Sequence, residues 1–115
     1  IGATKELIKK KIKQYKIVYT PGIFEIPVVI SKKIKLFDAF IALGCVIKGE
    51  TPHFNFISES ATNAIMHLSI NHKKPIGNGI LTCLNKNQAI VRANPLKKNK
   101  GGEASKAILS VLGIK

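Results

Sequence analysis

The sequence predicts a three-layer α/β/α sandwich with a parallel sheet, on three observations. Apolar runs of strand length alternate with amphipathic stretches of helix length, the order that right-handed crossovers turn into a parallel sheet covered on both faces. A chain of 115 residues with 45% hydrophobic content suits one packed domain, taken as residues 1–115. The residues with the most chemical potential stand directly behind the strand-like runs, where open parallel sheets place their ligand sites.

Leu7, Ile8, Ile12 and Tyr15 recur at helical spacing on a lysine-rich background, so an amphipathic helix opens the chain. Such a helix ordinarily follows a strand, and a strand ahead of Ile1 is expected. The segment KIVYT, residues 16–20, is a short strand candidate. PGIFEIP leads into a helix through about Ile34, and FDAFIALG, residues 37–44, has a buried-strand pattern. GCVIKGETPHFNF, residues 44–56, is a loop rich in turn residues. Ile57, Ala61, Ala64, Ile65 and Leu68 mark a long helix, and KKPIGNGILT, residues 73–82, is a strand despite its glycines. Two helices close the chain, around 88–92 and around 103–112, the last with Ala104, Ala107, Ile108, Val111 and Leu112 as its inner face.

The formal net charge of +13 invites a nucleic-acid reading, but its composition argues against a specific one. Eighteen of the nineteen basic residues are Lys, matched by eighteen Ile, and Arg92 is the single Arg, whereas groove readers depend on bidentate arginines. Two cysteines, Cys45 and Cys83, are too few for a disulfide framework or a zinc site and suit a reducing compartment, so a cytoplasmic protein is expected. No apolar run has membrane-span length.

Three segments meet behind the strands: PGIFE, CVIKGETPH and CLNKN. His53 follows Thr51 and Pro52 at a helix start, so it is either a proton-transfer residue or a ring that shields the helix end. Glu25, Glu50 and Thr51 have a parallel pair of readings, as ligand-binding groups or as helix-start chemistry. Cys45 beside His53 imitates a nucleophile and base, although a small buried thiol at a strand end is commoner. Arg92 is an anion ligand or a surface cation, and NKGGEA lacks the spacing of a phosphate-binding fingerprint.

At these same residues the chain resembles a known family. VYTPGIFEIP, FDAFIALGCVIKGETPHFNF, PIGNGILT, QAIVRA and NKGGEA are similar, in order, to the successive blocks of the 6,7-dimethyl-8-ribityllumazine synthases, from about Gly2 to Leu112. The resemblance implies a flavodoxin-like sheet and condensation of 5-amino-6-(D-ribitylamino)uracil with 3,4-dihydroxy-2-butanone 4-phosphate. It implies no metal and no organic cofactor. Ile23, Phe24 and Glu25 match the positions lining the pyrimidine and ribityl pocket. Cys45, Val46 and Ile47 match the strand-end positions along the heterocycle, where backbone groups bind. Glu50 and Thr51 match the turn that holds the phosphate-bearing substrate, and His53 matches the proton-transfer residue. Arg92 matches the phosphate-binding arginine and Lys100 a lysine that reaches the heterocycle, both supplied in the family by the neighbouring subunit of a pentamer.

The chain departs from the family pattern at three places. Asn78 stands where the family usually places an aromatic ring that stacks on the heterocycle across the subunit boundary. Ile23 replaces a usually smaller residue, and Asn55 a usual Asp. These departures leave open a rival reading, a weakened member acting as a flavin- or pyrimidine-binding or structural pentamer. The charge leaves open a second, a polyanion-binding protein.

Overall fold

The structure, a computed structural model, describes residues 1–12, 14–47 and 53–114, with residues 53–55 described by their backbone alone. In chain order it contains α1 (Gly2–Lys9), a 3₁₀ turn (Ile23–Glu25), α2 (Ile26–Lys33), β1 (Phe40–Ile47), α3 (His53–His72), β2 (Ile76–Cys83), α4 (Lys86–Ala93) and α5 (Lys100–Val111). β1 and β2 pair in parallel, from Phe40 opposite Ile76 to Ile47 opposite Cys83. Because side chains alternate along a strand, the even-numbered residues of both strands share one face and the odd-numbered residues the other.

The even face meets α2 and α3. Ile26, Ile30 and Ile34 of α2, Ala42 of β1 and Ile65 of α3 form one buried cluster, flanked by Ile23, Phe40, Leu68, Ile76 and Ile80. The odd face meets α1 and α5, where Leu7, Ile108 and Leu109 are buried together beside Ile12, Ala39 and Ile41. This is the expected three-layer α/β/α arrangement on a parallel sheet. Burial of these aliphatic side chains at about 1.5–3 kcal/mol each is the main term holding the layers together.

Glycines set how closely α5 approaches the sheet. A Cβ on Gly77 would run into the carbonyl oxygen of Ala104, and one on Gly79 would lie 2.6 Å from Leu43 Cδ2. Since Ala104 lies near both Gly79 and Gly77 while Ile108 lies near Gly77, α5 runs antiparallel to β2, with its N-terminus toward the C-terminal edge of the sheet. The hydroxyl of Ser105, fully buried, donates to the Ala3 carbonyl at 3.0 Å and ties α5 to α1.

Several boundaries differ from the sequence expectation for identifiable reasons. α1 stops at Lys9 rather than continuing toward Tyr15, because Lys11 adopts φ 61° and the N–H groups of Lys11 and Ile12 return to the carbonyls of Ile8 and Leu7 at 2.9 Å each. That pattern is a Schellman stop, and Ile12 folds back onto Leu7 as its hydrophobic contact. Ile8 and Tyr15 are consequently exposed. Lys73, at φ 54°, ends α3 the same way, with Lys74 N–H reaching Ser69 O at 3.1 Å. Lys74 Nζ then donates to the carbonyls of Ile34 and Phe37, placing a cation at the end of α2.

Residues 16–20 are not a strand: Ile17, Val18 and Tyr19 are exposed, and neither strand of the described sheet pairs with them. β propensity cannot make a strand without a hydrogen-bonded neighbour. β1 starts three residues later than expected and runs through Ile47, so Cys45, Val46 and Ile47 are strand residues, not loop. The inner face of α5 is rotated: Gly102, Ala104, Ser105, Ile108 and Leu109 are buried, whereas Ala107, Val111 and Leu112 are exposed. Small residues win these positions because the helix sits almost backbone to backbone on the glycines of β2.

Candidate active site

The C-terminal edge of the sheet gathers most of the expected site residues, on both of its faces. On the even face the Thr20 hydroxyl donates to the Gly22 carbonyl at 2.7 Å, stitching the turn that enters Ile23–Glu25. Ile23 lies over β1, with its Cδ1 2.9 Å from where a Cβ on Gly44 would stand. Phe24 is exposed. Glu25 is half-buried, and its Oε2 is buried without a hydrogen-bond partner among the described residues. Burying such an oxygen unsatisfied costs free energy, so the turn carries an acceptor that a donor would stabilise. Pro27 in the first turn of α2 fixes the backbone just beyond it.

On the odd face, Cys45 is exposed while Cys83 is fully buried, diagonally across the strand pair. Partial desolvation of its sulfur first, and then the neighbouring Cys83 thiol by proximity and by a hydrogen bond, pushes the Cys45 thiol above its ordinary pKa. A thiol held protonated is a poor nucleophile, which argues against reading Cys45 as one. β2 leads directly into α4 through a reciprocal cap: Asn85 Oδ1 accepts from Gln88 N–H and Gln88 Oε1 accepts from Leu84 N–H, both at 2.9 Å. The cap aims the last turn of α4 back at the strand end. Arg92 Nη1 donates to Thr82 O at 2.9 Å and contacts Cys83 Sγ at 3.5 Å.

The structure thus brings Ile23, Phe24 and Glu25 to one side of the strand ends and Arg92 to the other. Val46 and Ile47 lie opposite Thr82 and Cys83. Lys100 opens α5 on the odd side, where its Nζ pairs with Glu103 at 3.1 Å on an exposed surface. His53 is the first residue of α3, and nothing beyond its backbone is described. Glu50 and Thr51 lie outside the described residues. Asn78 is apart from the rest: it pairs with Ala42, about 13 Å before Thr82 at roughly 3.3 Å per residue, and its Oδ1 accepts from Ile80 N–H at 3.0 Å. Sequence reasoning missed Thr82 and Cys83 as partners of Arg92. The available signal was the Asn85 to Gln88 cap, which returns the chain to the strand just left.

Among the described residues no group of three or more His, Cys, Asp and Glu is arranged to hold a metal ion, and no helix is long and apolar enough to cross a membrane.

Comparison with known proteins agrees with the resemblance seen in the sequence. The model of the family described as 6,7-dimethyl-8-ribityllumazine synthase matches residues 1–115. The chain is 41% identical over 117 residues to the 6,7-dimethyl-8-ribityllumazine synthase of Zymomonas mobilis, covering 100% of this chain and 84% of that protein. It is 43% identical to 6,7-dimethyl-8-ribityllumazine synthase 1 of Rhodopseudomonas palustris, over 99% of this chain and 74% of the relative. For the Bartonella henselae synthase the identity is 44%, over 99% and 76%. A match of that extent makes this protein a member of the 6,7-dimethyl-8-ribityllumazine synthase family.

Proposed function

We propose that the chain condenses 5-amino-6-(D-ribitylamino)uracil with 3,4-dihydroxy-2-butanone 4-phosphate to 6,7-dimethyl-8-ribityllumazine, as a transferase of riboflavin biosynthesis. The observation that carries this reading is the family match over the whole of residues 1–115. The rival readings, a non-catalytic ligand-binding pentamer and a polyanion binder, draw no support from relatives that are synthases by name.

The chemistry divides among the residues as follows. The pyrimidine amine adds to the ketone and water leaves to form an imine. Phosphate departs by elimination, and the resulting enol tautomerises before ring closure expels a second water. His53 moves protons in these steps, since an imidazole titrates near neutrality. Arg92 holds the phosphate dianion, aided by backbone N–H groups of Glu50 and Thr51. The Glu25 carboxylate, with one buried oxygen lacking a partner, accepts hydrogen bonds from ribityl hydroxyls. Ile23 and Phe24 flank the ring, backbone groups of Cys45, Val46 and Ile47 hold its edge, and Lys100 and Asn78 approach it from a neighbouring copy.

A shared site is supported by the separation of its parts. Glu25 stands on the α2 and α3 side of the sheet and Arg92 on the α1 and α5 side, so one chain presents two half-sites rather than one. Exposed apolar side chains at the strand ends, including Ile47 and Leu84, are the kind of surface that a second copy covers. We therefore propose a homo-oligomer, and specifically a pentamer, located in the cytoplasm. Incubation of the purified protein with both substrates should yield the fluorescent lumazine together with one inorganic phosphate per product. Absence of both products from an assembled, folded protein would overturn the assignment.

A further inference from the structure

We infer that Cys83 positions Arg92, making this buried thiol part of the anion-binding device. The inference rests on the assignment of Arg92 to phosphate proposed above and extends it to a residue that has no assigned role.

Three observations carry it. Arg92 Nη1 donates to the β2 terminus at two points, Thr82 O at 2.9 Å and Cys83 Sγ at 3.5 Å. Both acceptors sit on a rigid strand end, and Cys83 is wholly buried, so the sulfur cannot drift. The opposite edge of the guanidinium, Nε and Nη2, has no partner among the described residues. That edge is the two-pronged one that matches the spacing of phosphate oxygens. Sulfur suits the inner position. It is a weak acceptor with a small desolvation cost, so it orients the cation without neutralising it as a carboxylate would. Thr82 O alone would leave the guanidinium free to pivot about one bond; the sulfur supplies the second point that fixes its plane. Orientation rather than charge is then what Cys83 contributes, and its effect should appear in the binding of the phosphate-bearing substrate alone.

The test compares Cys83→Val with Cys83→Thr in the assembled enzyme, a pair of equal shape in which only Thr returns an acceptor. Cys83→Val should raise KM for 3,4-dihydroxy-2-butanone 4-phosphate about three- to tenfold, the scale of one hydrogen bond, with kcat and the KM for the pyrimidine little changed. Cys83→Thr should recover most of that loss. In an Arg92→Lys background, Cys83→Val should add nothing, because the geometry it supports is already gone. Should the Val variant not fold, Cys83→Ala removes the same acceptor with less bulk and is read in the same way. An unchanged KM in Cys83→Val, or equal losses for both substrates and in both variants, would reduce the thiol to packing and overturn the inference. Arg92→Ala separates the two levels: if it too leaves the phosphate substrate's KM unchanged, the phosphate assignment itself falls and this inference with it.

Discussion

The two faces of the sheet are packed by opposite means. Against α2 and α3 the strands present side chains, and the contact is made by the ends of isoleucines such as Ile23, Ile26 and Ile65. Against α5, β2 presents glycines, and there its backbone meets the backbone of Ala104. Side-chain ends can change rotamer by rotation about single bonds, whereas two backbones in contact cannot yield without moving a whole element. The adaptable face carries Ile23 and Glu25, proposed to line the organic substrate. The unyielding face carries Cys83 and Arg92, proposed to hold a phosphate of fixed shape.

The largest effect that this division predicts comes from joining two damaged half-sites. His53→Ala should lower turnover about 10²- to 10⁴-fold, the usual contribution of a positioned base, and Arg92→Ala should weaken the phosphate substrate on its own. When the two variants are unfolded together and reassembled, about a quarter of sites in a random mixture should combine an intact His53 from one copy with an intact Arg92 from its neighbour. Fluorescent product formation would report the recovery. A mixture no more active than its components would mean that each chain completes its own site, and the opposition of the two faces would lose its functional meaning.

A second contrast tests the packing itself. Gly77→Ala forces a methyl into the carbonyl oxygen of Ala104 and should destabilise the fold by about 1–3 kcal/mol, the cost of overpacking, seen as a lower Tm. Gly44→Ala meets side-chain atoms alone, Cδ1 and Cγ1 of Ile23 with Ile26 Cδ1 farther off, and should cost distinctly less stability. It should nevertheless raise KM for the pyrimidine, because the displaced Ile23 is proposed to line that pocket. Equal losses of Tm would show that the two faces do not differ in compliance.

These contrasts also mark what the sequence made legible. The layer order, the parallel sheet and the long helix through Ala61 and Ile65 follow from periodicity, since burial imposes it directly. The rotation of α5 was not legible: Val111 and Leu112 look like core residues, but the face is chosen by Gly77 and Gly79 on a strand distant in sequence. Nor was the early end of α1, where Lys11 takes a left-handed conformation that glycine usually supplies. Residues 16–20 have strand composition without a partner, a fact about the sheet rather than about the segment. Within the site, residue types and their order were readable. Their distribution between two faces was not, because it depends on the register that sets Cys45 diagonal to Cys83.

A smaller effect follows from that diagonal. With the folded-state pKa of Cys45 raised above its ordinary value of 9.0, the protonated thiol is favoured by folding. Its contribution to stability is therefore complete below that ordinary value and is lost as pH rises through the higher folded one. Alkylation of Cys45 in the folded protein at about pH 8 should be slower than in the unfolded chain despite its exposure, and Cys45→Ser should flatten the alkaline fall in Tm. Alkylation at the unfolded rate would place Cys45 in open solvent and separate the two faces less sharply at the strand end. Substantial activity should survive in Cys45→Ser, as expected where the backbone and not the sulfur binds.

The smallest effect concerns Asn78, which lies on the adaptable face but far back from the strand ends of its own chain. Its Oδ1 occupies the Ile80 N–H, and the residue is exposed, so in isolation Asn78 does no more than cap one donor. If the same position faces the heterocycle of an adjacent subunit, Asn78→Phe replaces that cap with a stacking surface. Water can take over the exposed donor at little cost, and Phe is at least as compatible with a strand as Asn. A well-placed aromatic contact of about 0.5–1.5 kcal/mol should then tighten the pyrimidine substrate or a riboflavin analogue by about tenfold or less, and only in the assembled oligomer. Calorimetric titration of both forms at matched oligomeric state decides it. Equal affinities would leave Asn78 as a residue of its own strand alone, and the neighbouring copy's contribution to the ring would rest on Lys100.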